Sequence, residues 1–213
     1  MNKLIIPSKT DRLFKKIPSL LTRGHDFVEI GGIKWATCNV GAKCPTDKGL
    51  YFQWGDTKGY AAEQIGESEG KIFSWDDYEY YNEYDGVTKY NNNDEKITLE
   101  SSDDAARANW GGAWRMPTTE EFECLLSSTY KERIENCVVL TDKNDKSKVL
   151  TLPIGYFAQG FNLLCHDRGY YWSSSLDYDD YDYAWALSLL KTDQDIRTCE
   201  RVRGHYIRPV LDI

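Results

Sequence analysis

The core of this chain has to be built largely from aromatic rings. Its 213 residues include 15 Tyr, 7 Trp and 7 Phe, while the mean hydropathy is only -0.60. Aromatic side chains each bury a large area and keep polar tips that tolerate the surface. Tyrosine at this density is also typical of adaptable binding surfaces, because it offers a large contact at low entropic cost. The composition therefore predicts a polar domain with few aliphatic runs.

Charge separates a short N-terminal segment from the rest of the chain. The net charge is -8 and the pI is near 5.0, so we expect no nucleic-acid partner, which would need clustered basic charge. Residues 1–24 nevertheless hold six Lys or Arg and one Asp, which leaves -13 for the remainder. We therefore predict a basic arm over 1–24 and a domain over 25–213. A short amphipathic helix between Pro7 and Pro18 would pack on its own or a neighbouring subunit, which makes the arm a candidate for homo-oligomerisation.

Membrane spans, metals and cofactors are not expected. No apolar run approaches the roughly 18 to 20 residues of a transmembrane helix, and the arm lacks the apolar core of a Sec signal. The compartment is thus left open. The three His and six Cys have no zinc-site spacing. We expect mostly reduced thiols, with a Cys38–Cys44 disulfide as the alternative.

Two helices and many short strands give an α+β pattern without βαβ alternation. Asp103–Asn109 is a short helix, and Thr118 with Glu121 forms a capping box that begins a second one. Phe27–Ile30 and Ile33–Thr37 predict a hairpin across Gly31-Gly32. Residues 56–100 are long and irregular, which favours a functional or loosely ordered segment. The remaining strand candidates are Leu50–Trp54, Val138–Thr141, Val149–Leu152, Tyr156–Ala158, Tyr170–Ser174, Tyr183–Leu190 and Tyr206–Leu211.

Five motifs occur in order along the chain. They are GIKWATCNVGA (32–42), WGD (54–56), WGGAWRMPT (110–118), GYYWSSS (169–175) and IRPV (207–210). Together they resemble the Fibrobacter succinogenes major paralogous domain, which is abundant in gut Bacteroidetes, over roughly Phe27 to Ile213. That family lies in the formylglycine-generating-enzyme-like branch of the C-type lectin fold. The resemblance implies a C-type-lectin-like fold with mostly antiparallel short strands and long loops, but a fold does not by itself imply a function.

The resemblance argues against an enzyme. The enzyme that gives this branch its name uses two cysteines near its C-terminus, separated by four residues. Cys199 stands alone in the matching region, so the nucleophile has no partner thiol. The serines at 173–175 lack a G-x-S-x-G setting. The motifs of the calcium-dependent sugar site of true C-type lectins are also absent, so we predict a protein that is not an enzyme.

The segment between the last two motifs is the candidate binding surface. It contains the run DYDDYDY (177–183), and Asp and Tyr are each one first-base change from an AAC codon. In this it resembles the variable proteins of diversity-generating retroelements, whose adenines are mutagenised while a C-type-lectin scaffold stays fixed. An ordinary family member with an acidic, aromatic loop is the alternative. The predicted ligand-binding residues are Tyr178, Asp180, Tyr181, Asp182, Tyr183, Ser188, Leu190, Asp193, Asp195, Arg197, Cys199, Arg201, Arg203 and His205.

The chemistry of these residues suits recognition. Tyrosines give flat amphipathic contact, aspartates accept hydrogen bonds, and arginines donate planar forks. The sequence therefore predicts a ligand-binding or adhesion protein whose partner is a protein or glycan on another surface. The alternative is a structural or assembly module of a cell surface or phage particle, docked by residues 1–24.

Overall fold

The chain has an α+β fold, as the sequence predicts. A computed structural model describes residues 19–66, 69–190 and 194–213. The amphipathic helix predicted between Pro7 and Pro18 lies outside these residues. The described chain contains three α-helices, of which the first is a single turn within the predicted arm and the other two are the predicted ones: α1 (Ser19–Thr22), α2 (Ala105–Trp110) and α3 (Thr119–Ser128).

The predicted capping box fixes the start of α3. The Thr118 hydroxyl accepts from the Glu121 amide at 3.3 Å, and the Glu121 carboxylate accepts from the Thr118 amide at 2.8 Å. These two bonds satisfy amides that the first helical turn leaves without partners. Phe122 and Leu125 then face the core and are fully buried.

The strands of the described chain pair antiparallel with one another. The predicted hairpin is present, and both glycines of its turn have the positive φ that favours glycine, +61° and +80°. The strands are β1 (Phe27–Ile30), β2 (Ile33–Ala36), β3 (Tyr81–Asn82), β4 (Gly86–Val87), β5 (Trp114–Arg115), β6 (Thr129–Ile134), β7 (Cys137–Asp142), β8 (Val149–Pro153), β9 (Gly155–Gln159), β10 (Asn162–Leu176), β11 (Tyr183–Leu189), β12 (Gln194–Glu200) and β13 (Val210–Leu211).

Four sheets result from these pairings, in the orders β1-β2-β13-β5, β12-β11-β10-β9, β6-β7-β8 and β3-β4. In the first sheet β13 lies between two strands from much earlier in the chain, because Val210 pairs with Trp35 on one side and with Arg115 on the other. The first, third and fifth sequence motifs therefore meet in one sheet.

Some strand predictions were wrong. Leu50–Trp54 makes only isolated bridges, at Tyr51 and Phe52. The strand predicted over Tyr206–Leu211 is reduced to β13. β6 was missed because its segment TYKERI carries three charges in its middle and shows no strong apolar alternation.

The sheet of β9 to β12 separates two parts of the core. One face carries Tyr171, Leu187 and Leu189 against the cluster that contains Phe122 of α3. The other face carries Tyr170 and Trp172 in a second cluster, together with Phe52, Trp54 and Tyr90. Trp35, Trp114 and Trp172 are fully buried, as expected of a core built largely from aromatic rings, whereas Trp110 and Trp185 are half-buried.

The junction with the arm packs on the domain. Thr22 O accepts from Trp114 Nε1 at 2.7 Å, and the His25 ring stacks on Trp110 with centroids 3.6 Å apart. The boundary predicted at residues 24 and 25 therefore falls inside a packed segment. All six cysteines lie among the described residues and are free, so the alternative Cys38–Cys44 disulfide is not formed.

Candidate ligand-binding surface

One face of the β10–β11–β12 sheet gathers many of the predicted binding residues. Ser188 pairs with Asp195 on one side and with Tyr170 on the other. Because alternate residues of a strand share a face, Arg197 lies on the same face as Asp195. His205 reaches that face from the following segment and stacks on Tyr170, with ring centroids 4.9 Å apart.

The rim of this face consists of arginines that are each paired with a carboxylate. Arg197 binds Asp195 at 3.0 Å, and Arg203 binds Glu200 at 2.6 Å. Both arginine side chains remain partly exposed, at 37% and 29%. Exposed pairs of this kind contribute little stability, so a ligand could exchange one partner for another at low cost.

The floor of the same face holds polar atoms without partners. Ser188 Oγ, Arg197 Nε and His205 Nε2 are buried and make no hydrogen bond to the described residues. Burial lowers the pKa of the His205 imidazole to about 3, so the ring is neutral at neutral pH. Its Nδ1 lies 3.0 Å from Gly204 O and therefore carries the proton, which leaves Nε2 as an unpaired acceptor.

Ser188, His205 and Cys199 need correction as contact residues. Their exposures are 0%, 1% and 4%, so they form the floor of the face and not its surface. Ser188 and Cys199 share the strand face of Asp195 and Arg197 but are covered there, while His205 is enclosed by the rings of Tyr170 and Trp172. Burial raises the pKa of the Cys199 thiol to about 11, so it is not a thiolate at neutral pH.

Arg201 was also predicted to contact ligand, and this prediction was wrong. The side chain is fully buried, and its guanidinium carbon lies 4.9 Å from the Trp54 ring. Its Nε donates to the Tyr78 hydroxyl at 2.9 Å. Its two terminal nitrogens donate to three main-chain carbonyls, those of Lys89, Tyr90 and Tyr181, at 3.0 to 3.2 Å. Four of its five N–H donors are thus bonded inside the core, and the fully buried side chain offers no contact to a ligand.

The loop of residues 177–183, which we call the Asp/Tyr loop, is displayed at the end of β10 and β11. Tyr178 is 70% exposed, and its ring lies 6.5 Å from that of Tyr181. Asp180 and Asp182 are exposed, while Tyr181 and Tyr183 are half-buried. The predicted contact residues of the loop therefore all reach solvent.

The backbone of the Asp/Tyr loop is held by hydrogen bonds within the loop and by hydrogen bonds from Arg201. Asp177 N donates to Tyr183 O at 3.1 Å and Tyr183 N donates to Asp180 O at 3.0 Å. From below, Arg201 donates through Nη1 to Tyr181 O and through its main-chain N to Asp182 O, each at 3.0 Å. The domain therefore holds the loop through its main chain.

Negative charge on the Asp/Tyr loop is not neutralised locally. Within residues 19–66, 69–190 and 194–213, none of its four aspartates lies in an ion pair. Partial burial, and then the neighbouring Asp180 carboxylate, raise the pKa of Asp182. The loop thus offers acceptors that no described cation occupies.

The structure adds residues that sequence reasoning missed. Arg168 shares the face with Tyr170 and donates to its hydroxyl at 3.4 Å, and Phe157 lies under Arg203 at 5.5 Å. Arg168, Tyr170 and Trp172 alternate along β10 and so share one face. The predicted strand began at Tyr170, whereas β10 begins at Asn162, so Arg168 was not placed on that face. Leu190 is half-buried just after β11, and Asp193 lies outside the described residues.

Comparison of the chain with models of known protein families, with curated proteins and with solved structures finds no match in any of the three. No helix in the described ranges is long and apolar enough to cross a membrane. Among the same residues, no group of three or more His, Cys, Asp or Glu side chains is placed to hold a metal ion.

Proposed function

We propose that this chain is a ligand-recognition protein and not an enzyme. Its recognition surface consists of the exposed part of the Asp/Tyr loop and the charged rim of β12 with the turn after it. The ligand is a protein or glycan on another surface. The members of the recognition surface are Tyr178, Asp180, Tyr181, Asp182, Tyr183, Asp195, Arg197 and Arg203.

The observation that carries this proposal is how the loop is held. Arg201 bonds the loop through main-chain atoms at Tyr181 and Asp182, so most loop side chains can change without loss of that anchor. A backbone ordered before binding loses less conformational entropy when a ligand arrives. Tyr178, with 70% of its side chain exposed, then supplies a broad contact that few other side chains can match.

The C-type-lectin-like fold, in the formylglycine-generating-enzyme-like branch, is part of the same proposal. It is supported by the sheet in which β13 joins β2 and β5, since three of the five family motifs supply those strands. The fourth motif, GYYWSSS, lies in β10 directly before the Asp/Tyr loop. The buried Cys199 thiol, with its raised pKa, supports the absence of oxidase chemistry.

Diversification by a retroelement would leave a trace in the genome, and the structure predicts which codons should carry it. We expect a reverse transcriptase gene beside this gene, together with a near-copy of its 3′ end that carries adenines in the codons of the recognition surface. The codon of Arg201 should carry none, because that side chain belongs to the core. The absence of such a copy would leave an ordinary binding domain, whereas a copy with adenines at the Arg201 codon would contradict the core role of that side chain.

Binding itself is tested on the full chain. A fluorescently labelled protein would be applied to intact bacterial cells and to an array of bacterial glycans. The triple variant Tyr178→Ala, Asp182→Ala, Arg197→Ala should lose at least tenfold in affinity, because each residue is exposed and the contacts add. A matched double variant on the outer face of β6–β8, Tyr130→Ala with Val149→Ala, should bind like the parent.

Stability separates a contact surface from a scaffold. The triple variant should melt within about 5 °C of the parent, since three surface substitutions of less than about 0.5 kcal/mol each change the stability by less than about 1.5 kcal/mol together. Equal binding by both variants, or unfolding of the triple variant, contradicts the proposal.

A further inference from the structure

A groove of about 490 Å³ lies beside the recognition surface, between residues 73–75 and the turn of the β9–β10 hairpin. Its two walls are tied together by main-chain bonds, Phe73 N to Gly160 O at 2.8 Å and Gly160 N to Phe73 O at 2.9 Å. Glu200 and Val202 close one end. The volume is within the range of pockets that hold small ligands, about 300 to 1,000 Å³.

The walls combine apolar surface with amide groups. Trp75 is half-buried and Leu164 is 37% exposed. Gln159 and Asn162 both line the groove, and neither side chain bonds to any other described residue. Each amide offers two donors and an acceptor. The groove therefore has an apolar platform with free polar groups at its edge, as ligand sites commonly have.

A buried amide behind the groove has an unpaired acceptor. Gln53 is 1% exposed, and its Nε2 donates to Val202 O at 3.1 Å and to Ser74 O at 3.4 Å. Both partners are carbonyls of residues that line the groove, so the amide nitrogen must face them. Oε1 is left buried without a partner. A buried acceptor of this kind calls for a donor such as an ordered water, but Gln53 itself does not line the groove.

The charged groups around the groove favour a neutral ligand. Among the described residues that line the groove, Glu200 is the one with a formal charge, and Arg203 holds its carboxylate at 2.6 and 2.8 Å. An anionic ligand would find no free cation here, and a cationic ligand would compete with Arg203. Neutral hydroxyl groups, which both donate and accept, suit the two rim amides of Gln159 and Asn162. The apolar face of a sugar ring suits the indole of Trp75.

We propose that this groove binds a neutral sugar unit, in a site separate from the recognition surface. Trp75 and Leu164 hold the ring, and Gln159 and Asn162 bond its hydroxyls. This inference does not depend on the proposed function, because none of the eight residues that make up the recognition surface lines the groove, although Arg203 of that surface binds Glu200 at one end of it.

The test is a titration of the full chain labelled with ¹⁵N at its tryptophans, followed through the indole N–H signals. The probes are the methyl glycosides of glucose, galactose, mannose and N-acetylglucosamine, and the disaccharides lactose and maltose. Each is added to about 50 mM so that millimolar affinity is detected. The Trp75 signal, assigned with Trp75→Phe, should shift saturably with at least one of them.

Variants localise the response. The double variant Gln159→Ala, Asn162→Ala should weaken the affinity about tenfold, because it removes two hydrogen-bonding side chains. Tyr156→Ala is the matched control, since Tyr156 is exposed on the opposite face of β9, and it should leave the affinity unchanged. Tyr178→Ala should also leave it unchanged, which separates this site from the recognition surface.

Three outcomes overturn the proposal. The first is no saturable shift with any neutral sugar. The second is a shift that survives the double variant when thermal melting shows that variant to be folded. The third is a Trp75 response only to the methyl glycoside of sialic acid, or only to a neutral hexapeptide with blocked termini, which would assign the groove to an anion or to a peptide.

Discussion

Residues 76–86 and the Asp/Tyr loop are both rich in tyrosine and acidic residues, and both are bonded to Arg201. The first segment meets Arg201 through a side chain: Tyr78 is buried, accepts from Arg201 Nε at 2.9 Å and donates to Trp54 O at 2.7 Å. The loop meets Arg201 only through main-chain oxygens, while Tyr178 stays 70% exposed.

This difference shows that composition does not decide whether such a segment packs or displays its side chains. What decides it is whether the core bonds the segment through side-chain atoms or through main-chain atoms. A tyrosine held by its hydroxyl cannot change without cost, whereas a loop held by its carbonyls can exchange most of its side chains. We call the first segment anchored for its hold on Arg201 through Tyr78, although its Tyr84 is 93% exposed, and we call the loop displayed. The contrast is tested at Tyr78 and Tyr178.

The largest effect is expected at the residue that the two segments share. Arg201→Met should destabilise the fold by about 3 to 5 kcal/mol, because it leaves buried carbonyls and the Tyr78 hydroxyl without their donor. Urea unfolding measures this loss. Arg197→Met, four residues earlier on the exposed rim, should cost less than about 1 kcal/mol. Similar losses for the two variants would contradict a core role for Arg201.

Lowering the pH should destabilise the fold through the buried His205 imidazole. Burial lowers the His205 pKa from 6.5 to about 3, so between these values the unfolded chain binds a proton that the folded chain does not. Stability therefore falls as the pH falls, by about 1.4 kcal/mol per pH unit from this group. His205→Phe keeps an aromatic ring in the stack and should flatten that part of the curve.

The displayed loop should respond to acid in the opposite direction. The pKa of Asp182 is raised in the fold, so its protonation favours the folded chain as the pH falls toward that raised value. Urea unfolding of Asp182→Asn between pH 7 and pH 4 should thus lose a small stabilising contribution at the acid end. If the free energy of unfolding of His205→Phe falls with pH as steeply as that of the parent, the buried imidazole is not the source of this pH dependence.

A single hydroxyl distinguishes the anchored tyrosine. Tyr78→Phe removes one donor and one acceptor from the core and should cost about 1 to 3 kcal/mol, because it leaves Trp54 O and Arg201 Nε unpaired. The free energy of unfolding in urea is again the measurement.

The same change in the loop should have the smallest effect. Tyr178→Phe removes a hydroxyl that bonds to no other described residue, so its cost should stay below about 0.5 kcal/mol. Equal costs for the two Tyr→Phe variants would mean that the anchored and displayed segments do not differ as described.

Local signals in the sequence predicted local structure well. The Thr118 and Glu121 capping box and the Gly31-Gly32 turn are short-range devices, and both are present. Asp195 and Arg197, two residues apart in the sequence, lie on one face of β12. Local chemistry was sufficient in each case.

Whether a given residue is buried or exposed was not predictable in the same way. Arg201 continues the spacing of Arg197 and was taken for another exposed contact. Its burial depends on Tyr78 and on the carbonyls of residues 89 and 90, more than 110 residues earlier in the chain. Nothing within a local window of the sequence shows that these groups will surround it.

The position of β13 has a consequence for how the molecule is made. β2 and β5 leave the ribosome long before Val210 and Leu211, yet those two residues fill the gap between them. The first sheet therefore cannot be completed during most of synthesis, and a chain interrupted inside the Asp/Tyr loop lacks its central strand. Long-range pairing of this kind is slow and leaves strand edges open to aggregation in the meantime. A chain that stops before Val210 is therefore expected to leave β2 and β5 without the strand that joins them.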